Sequence, residues 1–212
     1  MSLGAGAPSY HARVPSTPAT LSPPPLMRLS LLAAAFLVLP LASAGAQSRI
    51  PDPATATAIR QQFLTDLDTL ESKFVSLAQA FPEEKYAWRP APGVRSVGEA
   101  FMHVASEFYT YAPVAFTAPR STVVGRGREG FQKFEQMSTK ADVLKHLHEG
   151  FAYARQNIAA LPVDSIAGTR KIFGGERTII ETSQGVTADL HEHLGQLIAY
   201  ARMNGVVPPW SK

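Results

Sequence analysis

Apolar positions recur at intervals of three and four along four stretches of the chain. From Pro53 to Ala80 they are Ala56, Ile59, Phe63, Leu67, Leu70, Phe74, Leu77 and Ala78, which form one stripe of a long amphipathic helix. Phe81-Pro82 ends it. Val97, Ala100, Phe101, Val104, Phe108 and Tyr111 predict a second helix, opened by the capping-box pattern Ser96-Val97-Gly98-Glu99 and kinked or ended at Pro113. Thr139 to Leu161 carries a third stripe, Val143, Leu144, Leu147, Phe151, Ala154 and Ile158, with Ser138 or Thr139 as cap and Pro162 as its close. Thr182 to Asn204 carries the fourth, Val186, Leu190, Leu194, Leu197 and Ala201, with Gly205 as left-handed cap and Pro208-Pro209 beyond.

The segments between them are short to medium. Pro82 to Arg95 reads as an ordered, proline-rich connection, and Ala118 to Phe134 as a solvated loop broken by Gly125, Gly127 and Gly130. Arg120, Arg126 and Arg128 of that loop are the alternative: a cationic rim for an anionic substrate. Lys171 to Ile180 reads as extended chain around a Gly174-Gly175 turn. The expected fold is therefore all-α, a four-helix bundle with a short hairpin before the last helix.

Composition changes the picture at the N-terminus. Residues 1–46 hold Arg13 and Arg28 as their only charges, and Met27 to Ala46 has the basic start, the apolar run Leu31–Leu41 and the small-residue Ala42-Ser43-Ala44 or Ala44-Gly45-Ala46 pattern of a secretory signal. The apolar run is interrupted by Pro40 and too short to span a membrane. The expected organisation is an upstream extension plus signal over 1–46, with Met27 as the alternative start, and one bundle domain over 47–212. The implied location is the periplasm or the exterior, with no membrane attachment after cleavage. The full chain has 20 Lys and Arg against 17 Asp and Glu, so losing Arg13 and Arg28 leaves 18 basic residues and almost no net charge. That balance speaks against nucleic-acid binding. The absence of cysteine excludes disulfides, thiolate nucleophiles and thiolate metal ligands.

The remaining candidates for chemistry are histidines and carboxylates. On the fourth helix His193 lies within about 40° of the inward face, and Asp189, one turn earlier, points the same way. Such an i, i+4 pair can converge on one ion. His191 sits roughly 160° from His193 and cannot join it. On the second helix His103 borders the apolar stripe. If these helices are neighbours, His103, Asp189 and His193 form a metal site of two imidazoles and one carboxylate with open positions. His146 and His148 on the third helix read as surface residues, as do His191 and Glu192 on the fourth. Glu107 and Tyr200 read as residues supporting the ligands.

These residues also resemble a family. Leu77–Phe81, Pro82–Tyr86, Trp88-Arg89-Pro90, Pro92-Gly93, Ser96–Glu99 and His103 look like the first block of the DinB/YfiT-like family. Asp189–Leu197, Tyr200, Arg202, Gly205 and Pro208–Trp210 look like its last block. The resemblance implies a metal-binding four-helix bundle, often a homodimer, with one histidine from the second helix and an HxxxH pair on the last helix before Gly-Gln. His103 and His193 match two of these ligands, and Asp189 stands where the family has the other histidine.

Residues and resemblance together imply an exported protein that binds one divalent metal, Zn or Ni first and Mn or Fe otherwise. The expected activity is metal-dependent hydrolysis of a small-molecule substrate. A thiol S-transferase and a non-catalytic metal-binding or interaction module are the alternatives. The cluster Tyr86, Trp88, Pro90 and Trp210 reads as packing of the connection against the bundle, or else as a dimer or lid surface.

Overall fold

Asp52 starts the first helix. Its carboxylate accepts from the amides of Ala54 and Thr55, and Pro53 sits in the first turn, where a missing N–H leaves no carbonyl unpaired. The computed structural model describes residues 52–211 apart from 117, 167 and 173, so the signal-like segment and the extension before it lie outside the described residues. Helix α1 runs Pro53–Ala80 and buries Phe63, Leu67, Leu70, Phe74 and Leu77, the stripe read from the sequence.

The connection that follows is ordered by its aromatics. After a single 3-10 turn at Glu83–Lys85, the Tyr86 hydroxyl donates to the Ala78 carbonyl at 2.7 Å and its ring stacks on Phe101. Trp88 packs edge-on against Tyr200, 5.4 Å between centroids. Trp210 is partly exposed, with the Lys73 ammonium 6.0 Å above its ring. Helix α2 (Val97–Ala115) opens with the complete capping box of Ser96 and Glu99 and continues past Pro113 into its last turn. Gly98 lies against the backbone of Ser138, whose carbonyl oxygen would stand 2.3 Å from a Cβ at this position.

The stretch expected as a loop contains a helix, α3 (Gly127–Gln136). Its glycines have specific tasks. Gly127 adopts φ +65° where the helix begins, and Gly125 and Gly130 touch backbone to backbone, so that a Cβ on Gly130 would meet Gly125 at 2.2 Å. Phe134 anchors the helix in the core at 2% exposure. Helix α4 (Lys140–Ala159) is capped by Thr139, and a single turn, α5 (Val163–Ile166), leads into the hairpin of β1 (Thr169–Ile172) and β2 (Gly175–Thr178). The strands are antiparallel, with Arg170 opposite Arg177, and Gly174 takes φ +82° in the turn. Helix α6 (Ile179–Met203) starts ahead of the expected Thr182 because Thr178 and Glu181 form a second capping box, and Gly205 at φ +72° follows its end.

The four long helices form the bundle. Both α1 and α2 pack against α4 and α6, and α3 lies on α2. Phe74, Phe81, Phe101, Phe151, Leu67 and Leu147 are fully buried between them, with Phe108 and Phe151 rings 4.3 Å apart. Each such side chain contributes roughly 1.5–3 kcal/mol. None of the described helices is long and apolar enough to cross a membrane.

Candidate metal centre

Two i, i+4 pairs face each other across the α2–α6 seam: His103 with Glu107 on α2, and Asp189 with His193 on α6. The Nε2 atom of His103 lies 3.3 Å from Glu107 Oε1, and the Nε2 atom of His193 lies 3.5 Å from the same oxygen. The two imidazole rings meet edge to face at 4.9 Å. Among the described residues, His103, Glu107 and His193 are the group of metal-ligating side chains whose donor atoms all lie within 4.8 Å of one another. Asp189 lies beside this group and outside it, with Oδ1 3.7 Å from His193 Nε2 and its side chain 43% exposed.

The protonation states follow from the surroundings. Glu107 is buried, its Oε2 has no hydrogen-bond partner, and burial raises its pKa against the pull of His193. The Glu107 carboxylate in turn raises the pKa of His193 against burial. Both directions express one need: three acceptors aimed at one point are stable together only with positive charge between them. A proton shared with His193 satisfies part of it. A divalent cation fits the same donors, two imidazole nitrogens and a carboxylate with a spare oxygen.

The His103 imidazole is held from behind, and a second chain of bonds starts beside His193. His103 donates Nδ1–H to Glu135 Oε1 at 2.7 Å, since an ionised carboxylate can only accept. Arg95 grips both oxygens of Glu135 at 3.1 Å. Burial works to raise the Glu135 pKa, but the hydrogen bonds from His103 and Arg95 and the Arg95 charge outweigh it and hold the carboxyl below its usual range. One turn after His193, Gln196 donates to the Tyr200 hydroxyl at 2.9 Å, and that hydroxyl donates to the backbone carbonyl of Arg95 at 3.2 Å. Both chains end on Arg95, the residue before the α2 cap. A bond such as that from Glu135 fixes the tautomer and ring orientation of a ligating histidine.

The structure thus brings His103 and His193 together on Glu107, the carboxylate that their Nε2 atoms share, and sets Asp189 beside His193, outside the group whose donors lie within 4.8 Å of one another. The signal for Glu107 was its place one turn after His103, the same spacing that singled out Asp189. His191 bonds the Thr187 carbonyl on the exposed side of α6, away from the group. His148 is exposed as expected, beside Glu71. His146 is a correction: it is buried at 6% exposure, its ring against Phe134 of α3 and Tyr109 of α2. The loop-for-helix reading of α3 left nothing to cover that face of α4.

A family model described as the DinB superfamily matches residues 66–197. Among solved structures, a DinB-like protein from Bacillus subtilis shares the fold with a TM-score of 0.54 at 18% identity, covering 69% of this chain and 93% of that one. A comparison with curated proteins returns no match.

Proposed function

The chain belongs to the DinB superfamily, and we propose that it works as an exported, metal-dependent hydrolase of a small molecule. In this reading His103, Glu107 and His193 hold a divalent cation, with Asp189 as the further carboxylate on the open side, and Zn or Ni as the leading metals. The observation that carries the proposal is the convergence of two Nε2 atoms on the buried Glu107 carboxylate, whose second oxygen is unpaired. When bound, the cation supplies Lewis acidity to water or to a carbonyl.

The protein's own groups do the rest. Glu135 holds the His103 imidazole in its tautomer. The exposed Asp189 carboxylate stands where it can accept a proton from a water entering the site. Apolar residues of all four long helices, Phe63, Phe108, Ile158 and Leu190 among them, wall the Glu107 side. The signal-like Met27–Ala46 segment supports export, which removes the protein from the thiol pool of the cytosol and favours hydrolysis over thiol transfer.

Mass-spectrometric metal content tests the reading on protein beginning at Gln47, purified without chelator and assayed with generic esters, amides and lactones. Near-stoichiometric metal and turnover, both lost in His193→Ala, are the expected result. A wild-type protein that stays metal-free after reconstitution with Zn, Ni, Mn and Fe(II) overturns it.

A further inference from the structure

Beside the metal-ligating group lies a cavity of about 300 Å³ between α2, the hairpin and α6. Its inner end is Asp189, which together with Glu107 also lines the small apolar cavity behind. Its walls are apolar, formed by Val114 and Ala115 of α2, Ile172 of β1 and Val186 of α6. Its outer end carries the Arg177 guanidinium and the Glu181 carboxylate, with Arg170 behind the lining. Arg170 and Arg177 are directly opposed in the hairpin, and both share the face of Ile172, because residues two apart on a strand point the same way.

Two like charges placed directly opposite are destabilising. Arg170 is half satisfied by the carbonyls of Ala115 and Ser165, at 3.3 and 3.4 Å. Arg177, which lines the cavity, makes no side-chain hydrogen bond or ion pair among the described residues. Glu181 also lines the cavity, and its Oε2 accepts from the Thr178 amide at 2.8 Å and hydroxyl at 3.1 Å in the α6 cap. The exposed Arg177 guanidinium, unpaired among the described residues, can take up an anion that enters the cavity. The intervening apolar wall specifies what the anion is attached to.

We propose that this cavity is the substrate site, and that it takes small carboxylates with an apolar body, the carboxylate at Arg177 and the opposite end at Asp189. The inference rests on the hydrolase reading only for what happens at Asp189; the binding itself requires no metal. The stretch of α6 from Glu181 to Asp189 rises about 12 Å, comparable to an extended octanoate.

Calorimetric titration of the protein beginning at Gln47 with octanoate, and with 1-octanol as the uncharged equivalent, tests the proposal. Octanoate is expected to bind saturably and about tenfold more tightly than octanol, an advantage of the size a charge-assisted pair gives. Arg177→Gln removes that advantage and leaves octanol binding unchanged. Gly185 supplies the second variant: it lines the cavity and a Cβ on it meets nothing within 4 Å, so Gly185→Phe fills the space without a clash in the helix. It is expected to abolish binding of both probes at unchanged circular dichroism and metal content. Chelator treatment leaves octanoate binding intact. Binding that vanishes with the metal but survives Arg177→Gln puts the carboxylate on the metal group and overturns the proposal, as does octanoate affinity indifferent to Gly185→Phe or the absence of saturable binding. A protein that binds octanoate in this pattern yet holds no metal refutes the hydrolase reading alone.

Discussion

Glu135 Oε1 sits 2.7 Å from His103 Nδ1, reaching from α3 to fix a ring on α2. Because the carboxylate accepts the Nδ1 proton, the Nε2 lone pair is left facing Glu107 and His193. The helix that carries Glu135 therefore belongs to the site although it holds none of the grouped donors.

Glu135→Gln keeps the size and loses the charge-assisted acceptor. Zinc affinity is expected to fall about 10–100-fold, read by competition with a chromophoric chelator, at unchanged circular dichroism. An affinity equal to wild type would show that the His103 tautomer is set without α3.

Cation binding stabilises the folded state by mass action. At a zinc concentration 100 times Kd the gain is about 2.7 kcal/mol, which for a domain of this size raises Tm by about 5–11 °C. Glu107→Gln is expected to lose most of that rise while its metal-free protein still unfolds cooperatively. Differential scanning fluorimetry with and without zinc decides it, and an undiminished rise in the variant would remove Glu107 from the ligands.

Gly98→Ala puts a methyl group 2.3 Å from the Ser138 carbonyl oxygen, against backbone that cannot rotate away. The first turn of α2 must then lift from the α3–α4 connection. A loss of about 1–3 kcal/mol in denaturant unfolding is expected, together with weaker zinc binding, since Glu135 and His103 approach each other across that contact. A stable variant with normal zinc affinity would show the contact to be slack.

His146 gives a prediction about pH. Burial lowers its pKa, with Lys145 acting in the same direction and Glu149 and Asp142 against it. Its Nδ1 has no hydrogen bond and stands 3.6 Å from Glu149. The unfolded chain therefore binds the proton more readily, so the stability due to neutral His146 is full above about pH 6.5 and declines as pH falls below it. His146→Gln is expected to flatten this limb in urea midpoints measured between pH 7 and 5. An identical slope in both proteins would assign the acid limb to other groups.

Much of this was legible in the chain itself. The Phe63–Leu67–Leu70–Phe74 stripe and the Ser96–Glu99 box are local patterns, and local patterns set α1 and the start of α2. His103 and His193 could be placed inward because each lies on a helix with a clear apolar face. Whether two helices adjoin is a tertiary fact, so the meeting of His103 with His193 had to wait for the packing. The larger miss has a single cause. Gly125, Gly127 and Gly130 read as chain flexibility, whereas Gly127 serves a left-handed start and the other two a close backbone contact. With α3 read as loop, Glu135 had no position from which to hold His103, and His146 had no Phe134 to cover it.

Helix α4 packs against both α1 and α2 and fills the centre with Leu147, Phe151 and Ile158, yet α1 and α4 meet the candidate centre only with apolar side chains: the grouped donors and the hydrogen bonds behind them come from α2, α3 and α6. The fold thus divides its labour. One side of the bundle supplies rigidity, and the seam of α2, α3 and α6 supplies reactivity. An evolving or engineered descendant can exchange donors along that seam, trading one metal or one substrate for another, while the load of folding rests on side chains the exchange never touches.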